Sequence, residues 1–307
     1  MLLGGYAFGI FSRSEHLIDI SRKVDGFKEA ALDESQLLMK RQQEFGTSYI
    51  NDPQLLWDDM FRPIALTQEG LSVNGLIRYF ETNTFYKQPV INGKLEYAGS
   101  IEDYLSIHGG IAPTLISLPD PLTFLRMSKN LWYNEDSALI RDFGRLLGNI
   151  SGDLKRLGYR ALVLKGPMYC SSDASGLRES ILSALHEIKA SFSGKVIIHT
   201  YFGNPELNAA ILRESDIDGI GLDPKYVSRS GMQIYGSKEI SLGAIDGTNT
   251  KMEKIEEIRS LLMGLKGKVN QVFITNNVDL EFLPQSFLLS KVKLIGEAVR
   301  LLSDEVI

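Results

Sequence analysis

Cysteine is almost absent from this chain: Cys170 is the only one in 307 residues. One cysteine excludes an internal disulfide framework and any CxxC zinc or redox motif, and it fits a reducing, cytoplasmic setting. Histidine is scarce as well, with four residues and no ligand spacing among His16, His108 and His186. No apolar run reaches the ~18 residues of a membrane span. The apolar opening MLLGGYAFGIF has no basic leader and no small-residue cleavage site after it, so it reads as a buried strand. Concentrated basic charge is missing too. The formal net charge is -5, from 33 basic and 38 acidic residues, which argues against a general nucleic-acid binder. There is no P-loop, no G-x-S-x-G elbow and no GxGxxG after the first strand. HGGIAPT (108–114) has the look of an oxyanion loop, but no serine elbow accompanies it.

What is present is ordinary globular composition, 44% hydrophobic and 23% charged, arranged as short β-branched runs between longer helical periods. The runs are GGYAFGIF (4–11), TSYI (47–50), PTLISL (113–118), RALVLK (160–165), KVIIHTYF (195–202), IDGIGLD (217–223), EISLGAID (239–246) and QVFITN (271–276). Most are apolar on both faces, as strands covered by helices on two sides are. Eight strands alternating with helices predict an α/β fold, a single closed (β/α)8 TIM barrel over residues 1–307. The aromatic stretch Leu71–Tyr97, broken by Gly and Pro, predicts a β-hairpin excursion from it.

In such a barrel, chemistry sits where strands end. The polar residues there are Lys165, His199, Asp223, Asp246, Asn276 and Asn277. Each alone also reads as a turn former or helix cap. Trp57 and Trp132 read as packing residues, and His186 as a surface residue on an amphipathic helix.

FETNTFYKQP (80–89), HTYFGN (199–204), LDP after DGIG, and LGAIDGTN (242–249) occur in this order. Together they resemble the cobalamin-independent methionine synthase family, and its amino-terminal half more than its zinc-bearing half. The resemblance implies a (β/α)8 barrel and methyl transfer to homocysteine in methionine biosynthesis. It also implies a zinc site of one histidine, two cysteines and one acid in the catalytic half. On that pattern His199 stands at the histidine, Tyr201 at the first cysteine, Asp223 near the acid and Val278 at the second cysteine. The family's aspartate-glutamate-proline turn is here Lys165-Gly166-Pro167, which exchanges acid for base.

The resemblance therefore implies no metal and no cofactor in this chain, with zinc carried by a separate catalytic partner. Substrate-binding candidates are Arg13, Asn83, Lys87, Lys165, His199, Asp223, Asp246 and Asn249; no catalytic residue is assigned. The expected role is an accessory or substrate-binding subunit for a small folate-type or amino-acid substrate. Tyr79, Phe85 and Tyr86 are its interface anchors. The alternatives are a stand-alone, metal-free methyltransferase and a non-catalytic regulatory or binding barrel. Neither nucleic acid nor a membrane is expected as a partner.

Overall fold

The computed structural model describes residues 1–22, 25–107 and 109–306; His108 lies outside them. In chain order its strands are β1 (Leu2–Gly5), β2 (Glu69–Arg78), β3 (Phe85–Glu96), β4 (Leu115–Pro119) and β5 (Lys129–Asn130). They continue with β6 (Ala161–Lys165), β7 (Lys195–His199), β8 (Gly219–Leu222), β9 (Glu239–Ile245) and β10 (Gln271–Asn276). The chain forms two compact units. Unit 1 comprises Met1–Leu56, Leu105–Ser117 and Gly219–Ile307, and unit 2 comprises Trp57–Tyr104 and Leu118–Asp218.

In unit 1, β1 pairs with β10, β10 with β9 and β9 with β8, all parallel. The β8 residues are buried on both faces, and so are most of those in β9 and β10. This is why the runs read as continuous apolar strands rather than alternating ones. The helix Gln285–Val306 packs against the end of the helix Phe27–Glu44 at Gly296. A Cβ there would lie 1.8 Å from the Phe45 carbonyl oxygen, so only glycine permits this approach.

In unit 2, β6 and β7 are parallel neighbours. The helices Asp136–Arg156 and Arg178–Phe192 pack together at Gly144, where a Cβ would meet that of Ala184 at 2.4 Å. Beside them, Phe124 and Phe143 stack with centroids 3.6 Å apart. The expected hairpin is real and spans Glu69–Glu96: β2 and β3 are antiparallel, and β5 adds two residues to β3. Trp57 is buried and donates its indole N–H to the Tyr104 carbonyl at 2.9 Å. Trp132 is exposed, contrary to its reading as a packing residue. His186 is exposed beside Asp216, as expected.

One expected strand is missing. Residues 47–50 are bend and irregular chain, and next to them a single bridge, Asn51 to Leu115, stands in place of a strand. Side-chain amides take over the ladder's work. Gln42 gives its N–H to the Asn51 carbonyl and accepts the Asn51 N–H, at 3.0 and 2.8 Å. Gln54, held at φ 54, does the same to Ser117, at 3.1 and 3.3 Å. Gln36 pairs likewise with Ile111. An amide presents one donor and one acceptor side by side, the pattern of a backbone peptide, so it can stand in for a strand neighbour. Among the described residues no helix is long and apolar enough to cross a membrane.

Candidate functional site

The richest chemistry in unit 2 gathers at the carboxyl ends of β4, β6 and β7. Lys165 and His199 are register partners on neighbouring parallel strands, so their side chains leave the same face. Both are buried, at 1% and 0% exposure. The strand-end backbone closes around them: Gly166 N–H donates to the His199 carbonyl at 2.9 Å, and Asp120 N–H to the Lys165 carbonyl at 3.2 Å.

Asp120 itself is fully buried and caps the helix Pro121–Met127, accepting from Leu122 N–H at 2.9 Å and Thr123 N–H at 3.2 Å. Burial pushes its carboxyl up to about 7, although the Thr123, Leu122 and Tyr169 hydrogen bonds pull it back. The Tyr169 phenol is raised well above its ordinary value, by burial first and then by the Asp120 charge. A carboxyl poised near neutrality can hold or release a proton at working pH.

Over this end of β7 lies an aromatic cluster made of two Tyr-Phe dipeptides. Tyr79 and Tyr201 share a hydroxyl–hydroxyl hydrogen bond of 2.5 Å. Phe80 and Phe202 pack with centroids 5.0 Å apart. Both phenylalanines sit in left-handed backbone, at φ 50 and 64. Such a conformation costs a non-glycine residue roughly 1–3 kcal/mol, and it concentrates at ligand clamps and switches.

The hairpin is anchored by buried Asp59, which accepts from Phe61 N–H, Arg62 N–H, Arg62 Nε–H and Lys87 N–H at 2.9–3.1 Å. Burial, then the Asp59 charge, raises the Tyr86 phenol to about 12. Tyr79 and Tyr86 are thus interior residues of unit 2. Of the three aromatics expected to anchor an interface, Phe85 alone is exposed. Asn83 is exposed near the tip, and Lys87 is half-buried.

In unit 1 the strand ends carry a different constellation. Asn277, just past β10, donates to Asp223 Oδ2 at 3.0 Å and to Asp246 Oδ1 at 3.4 Å, and accepts Gly247 N–H at 2.9 Å. Asp223 also accepts Lys225 N–H. Burial raises the Asp223 carboxyl, its hydrogen bonds lower it, and the neighbouring Asp246 charge raises it further; the net shift is upward. Burial works on Asp246 in the same sense, but the Thr248 hydroxyl and N–H together with Asn277 outweigh it, and its carboxyl falls below the ordinary value. Asn249 donates to Asp246 and accepts Lys251 N–H. The loop is tied down by buried Lys291, which donates to Glu253 and to the Lys251 carbonyl, both at 2.8 Å. Arg13 donates to the Leu55 carbonyl at 2.9 Å and lies over the Phe27 ring.

The eight candidates therefore fall into two groups: Asn83, Lys87, Lys165 and His199 in unit 2, and Arg13, Asp223, Asp246 and Asn249 in unit 1. Sequence reasoning missed Asp120 and Tyr169. The signal for Asp120 was there, an Asp-Pro-Leu-Thr step from strand to helix whose acid must cap the helix.

A family described as cobalamin-independent synthase, N-terminal domain, matches residues 29–270. The chain belongs to that family. It is similar to a methionine synthase of Sulfolobus acidocaldarius, 22% identical over 278 residues, covering 87% of this chain and 80% of that one. It is also similar to a 5-methyltetrahydropteroyltriglutamate–homocysteine methyltransferase of Trichodesmium erythraeum, 24% identical over 72% of this chain but 31% of the relative. The chain thus spans most of the archaeal protein and under a third of the bacterial one. Among solved structures, a B12-independent methionine synthase from Shewanella sp. W3-18-1 in complex with selenomethionine superposes with a TM-score of 0.83 at 14% identity, covering 99% of both chains. A putative vitamin-B12-independent methionine synthase from Listeria monocytogenes gives 0.73 at 15% identity, covering 98% of both. These likenesses establish the α/β fold of that group.

Proposed function

We propose that this chain is a substrate-binding, accessory member of the methionine synthase family. It forms one closed (β/α)8 barrel domain in the cytoplasm and acts beside a separate zinc-bearing catalytic chain in methyl transfer to homocysteine. The observation that carries this reading is the strand-end pair of unit 2, where buried Lys165 lies beside His199. The base at this turn favours an anionic group of the substrate, such as a carboxylate, over an ammonium.

The residues present do not fit the family's zinc. Val278 offers no donor atom, and the Tyr201 hydroxyl is bonded to Tyr79. A site with two thiolates cannot be assembled from them. Arg13, Asn83, Lys87, Asp223, Asp246 and Asn249 complete the proposed substrate contacts.

A second reading is a self-sufficient methyltransferase. It is favoured by the Shewanella methionine synthase, whose chain matches this one end to end. The test mixes the purified chain with a zinc-bearing catalytic chain, homocysteine and a methyl-folate donor, and measures methionine. The accessory reading expects more methionine from the mixture than from the catalytic chain alone, with the gain abolished by Lys165→Glu. Methionine formed by this chain alone overturns it in favour of the second reading; a mixture no better than the catalytic chain overturns the partnership.

A further inference from the structure

After β9 the chain runs from Asp246 to Lys254 without helix or strand, and this loop carries two of the proposed substrate contacts, Asp246 and Asn249. A lysine from another element gives it one shape. The helix Gln285–Val306 buries an apolar stripe that includes Leu288, Val292 and Ile295. Lys291 stands on the same face, at three- and four-residue steps from them, and is itself fully buried.

From Lys291 two short routes of hydrogen bonds lead to the candidate groups, both within unit 1. Its ammonium donates to Glu253 Oε1 at 2.8 Å, and the same oxygen accepts the Asp246 N–H at 2.9 Å. It also donates to the Lys251 carbonyl at 2.8 Å. Lys251 N–H donates to Asn249 Oδ1 at 2.9 Å, and Asn249 donates in turn to the Asp246 carboxylate. One cation thus fixes the Asp246 backbone by the first route and its carboxylate by the second. A buried ion pair is a poor source of stability, because desolvation offsets the attraction, and an apolar residue at 291 would continue the stripe. The second oxygen of Glu253 is buried with no hydrogen-bond partner among the described residues, which costs further. What the pair supplies, and an apolar residue could not, is a fixed direction for the polar groups of the loop.

We propose that Lys291 is a positioning residue, acting through Glu253 and Lys251 to hold Asp246 and Asn249 in the arrangement that binds substrate; this rests on the reading of those two residues as substrate contacts.

Trypsin digestion and titration calorimetry of the full chain test this. Trypsin attacks a lysine carbonyl, and the Lys251 carbonyl is the one that Lys291 holds. Lys291→Met should therefore open a cut after Lys251 that the wild type resists. L-homocysteine, whose ammonium suits an acid, should bind Lys291→Met about tenfold more weakly. Asp246→Asn should weaken binding as well. The two losses combined should fall well short of additive, because the lysine has little left to position; a lysine serving the fold alone would add its loss in full. If a stranded Glu253 carboxylate keeps Lys291→Met from folding, Lys291→Met with Glu253→Gln removes both charges and carries the same expectations. Weaker binding in Asp246→Asn but not in Lys291→Met overturns the positioning role and leaves the substrate reading of the loop standing. Additive losses, or a Lys251 site as resistant as in the wild type, do the same. Unchanged binding in Asp246→Asn overturns that reading and the role of Lys291 with it.

Discussion

At the end of β10 in unit 1, the Asn276 amide accepts the Phe8 N–H and donates to the Phe8 carbonyl, both at 3.0 Å. At the ends of β6 and β7 in unit 2 stand a lysine and a histidine, in register and buried, with a buried acid on the adjoining turn. Both are polar groups at strand ends, yet they do different work. In unit 1, Gln36, Gln42, Gln54 and Asn276 each bind both the N–H and the C=O of one residue, so their hydrogen bonds hold the backbone together. In unit 2 the strand ends concentrate charge and strained aromatics, which stabilise a fold poorly. A polar strand-end residue is therefore weighed by what its hydrogen bonds hold. On that measure unit 2 has the stronger claim to chemistry.

The sharpest way to break this comparison is through Asp120. Its folded carboxyl, at about 7, lies above its ordinary value of 3.8. The fold thus holds this proton more tightly than the unfolded chain does. The associated stability is fully present below 3.8 and is lost as pH rises through about 7, a loss of at most about 4 kcal/mol. Asp120→Asn should remove that slope, although it sacrifices one cap bond. Chemical denaturation at a series of pH values measures it; an unchanged slope would show that Asp120 is not the unit's proton-holding acid.

Gln54→Ala tests the amide clamps. It strands the N–H and C=O of buried Ser117 together, at a cost of about 3 kcal/mol. Denaturant midpoints should fall equally at every pH. A loss under about 1 kcal/mol would mean that the clamp does not replace a strand.

Tyr201→Phe leaves the Tyr79 hydroxyl without its phenol partner and should cost about 1–2 kcal/mol. Adding Tyr79→Phe should cost no more, because both halves of the pair are then gone. An additive double-mutant cycle would refute the coupling.

The smallest effect belongs to Asp246, whose carboxyl is depressed and half-exposed. Its contribution is present above the ordinary 3.8 and disappears as pH falls below it, the reverse of Asp120. After screening by solvent, Asp246→Asn should move stability by a few tenths of a kcal/mol, roughly. The acid-unfolding midpoint is the sensitive measurement.

Six of the eight expected strands were legible because burial on both faces leaves an unbroken apolar run; the first, expected over 4–11, is strand at Leu2–Gly5 and overlaps the expectation only at Gly4 and Gly5. TSYI was misread for a physical reason: its β-branched residues suit a strand, but its hydrogen bonds scatter, with Ser48 N–H donating to the Gly5 carbonyl, Ile50 N–H to the Thr114 hydroxyl, and the Ile50 carbonyl accepting from Thr114 and Leu115 N–H, so no ladder forms. The hairpin was visible from its aromatics, within two residues at its start and one at its end. Lys165 and His199 were found as strand ends, and their register makes them neighbours. Asp120 escaped because the apolar run PTLISL drew attention away from the acid that follows it. Tyr201 was read only as a missing cysteine; its bond to Tyr79 joins residues 122 positions apart, a distance over which sequence spacing carries no signal.

The amide clamps also bear on how this protein ages. A clamp needs one group that donates and accepts at once, and hydrolysis of the amide leaves a carboxylate that can only accept. Deamidation of Gln54 would turn an oxygen toward the Ser117 carbonyl, and deamidation of Asn276 would do the same to Phe8. Spontaneous chemistry at one atom would thus replace an attraction with a repulsion inside unit 1. Burial of these few amides, which shields them from water, slows that route to damage.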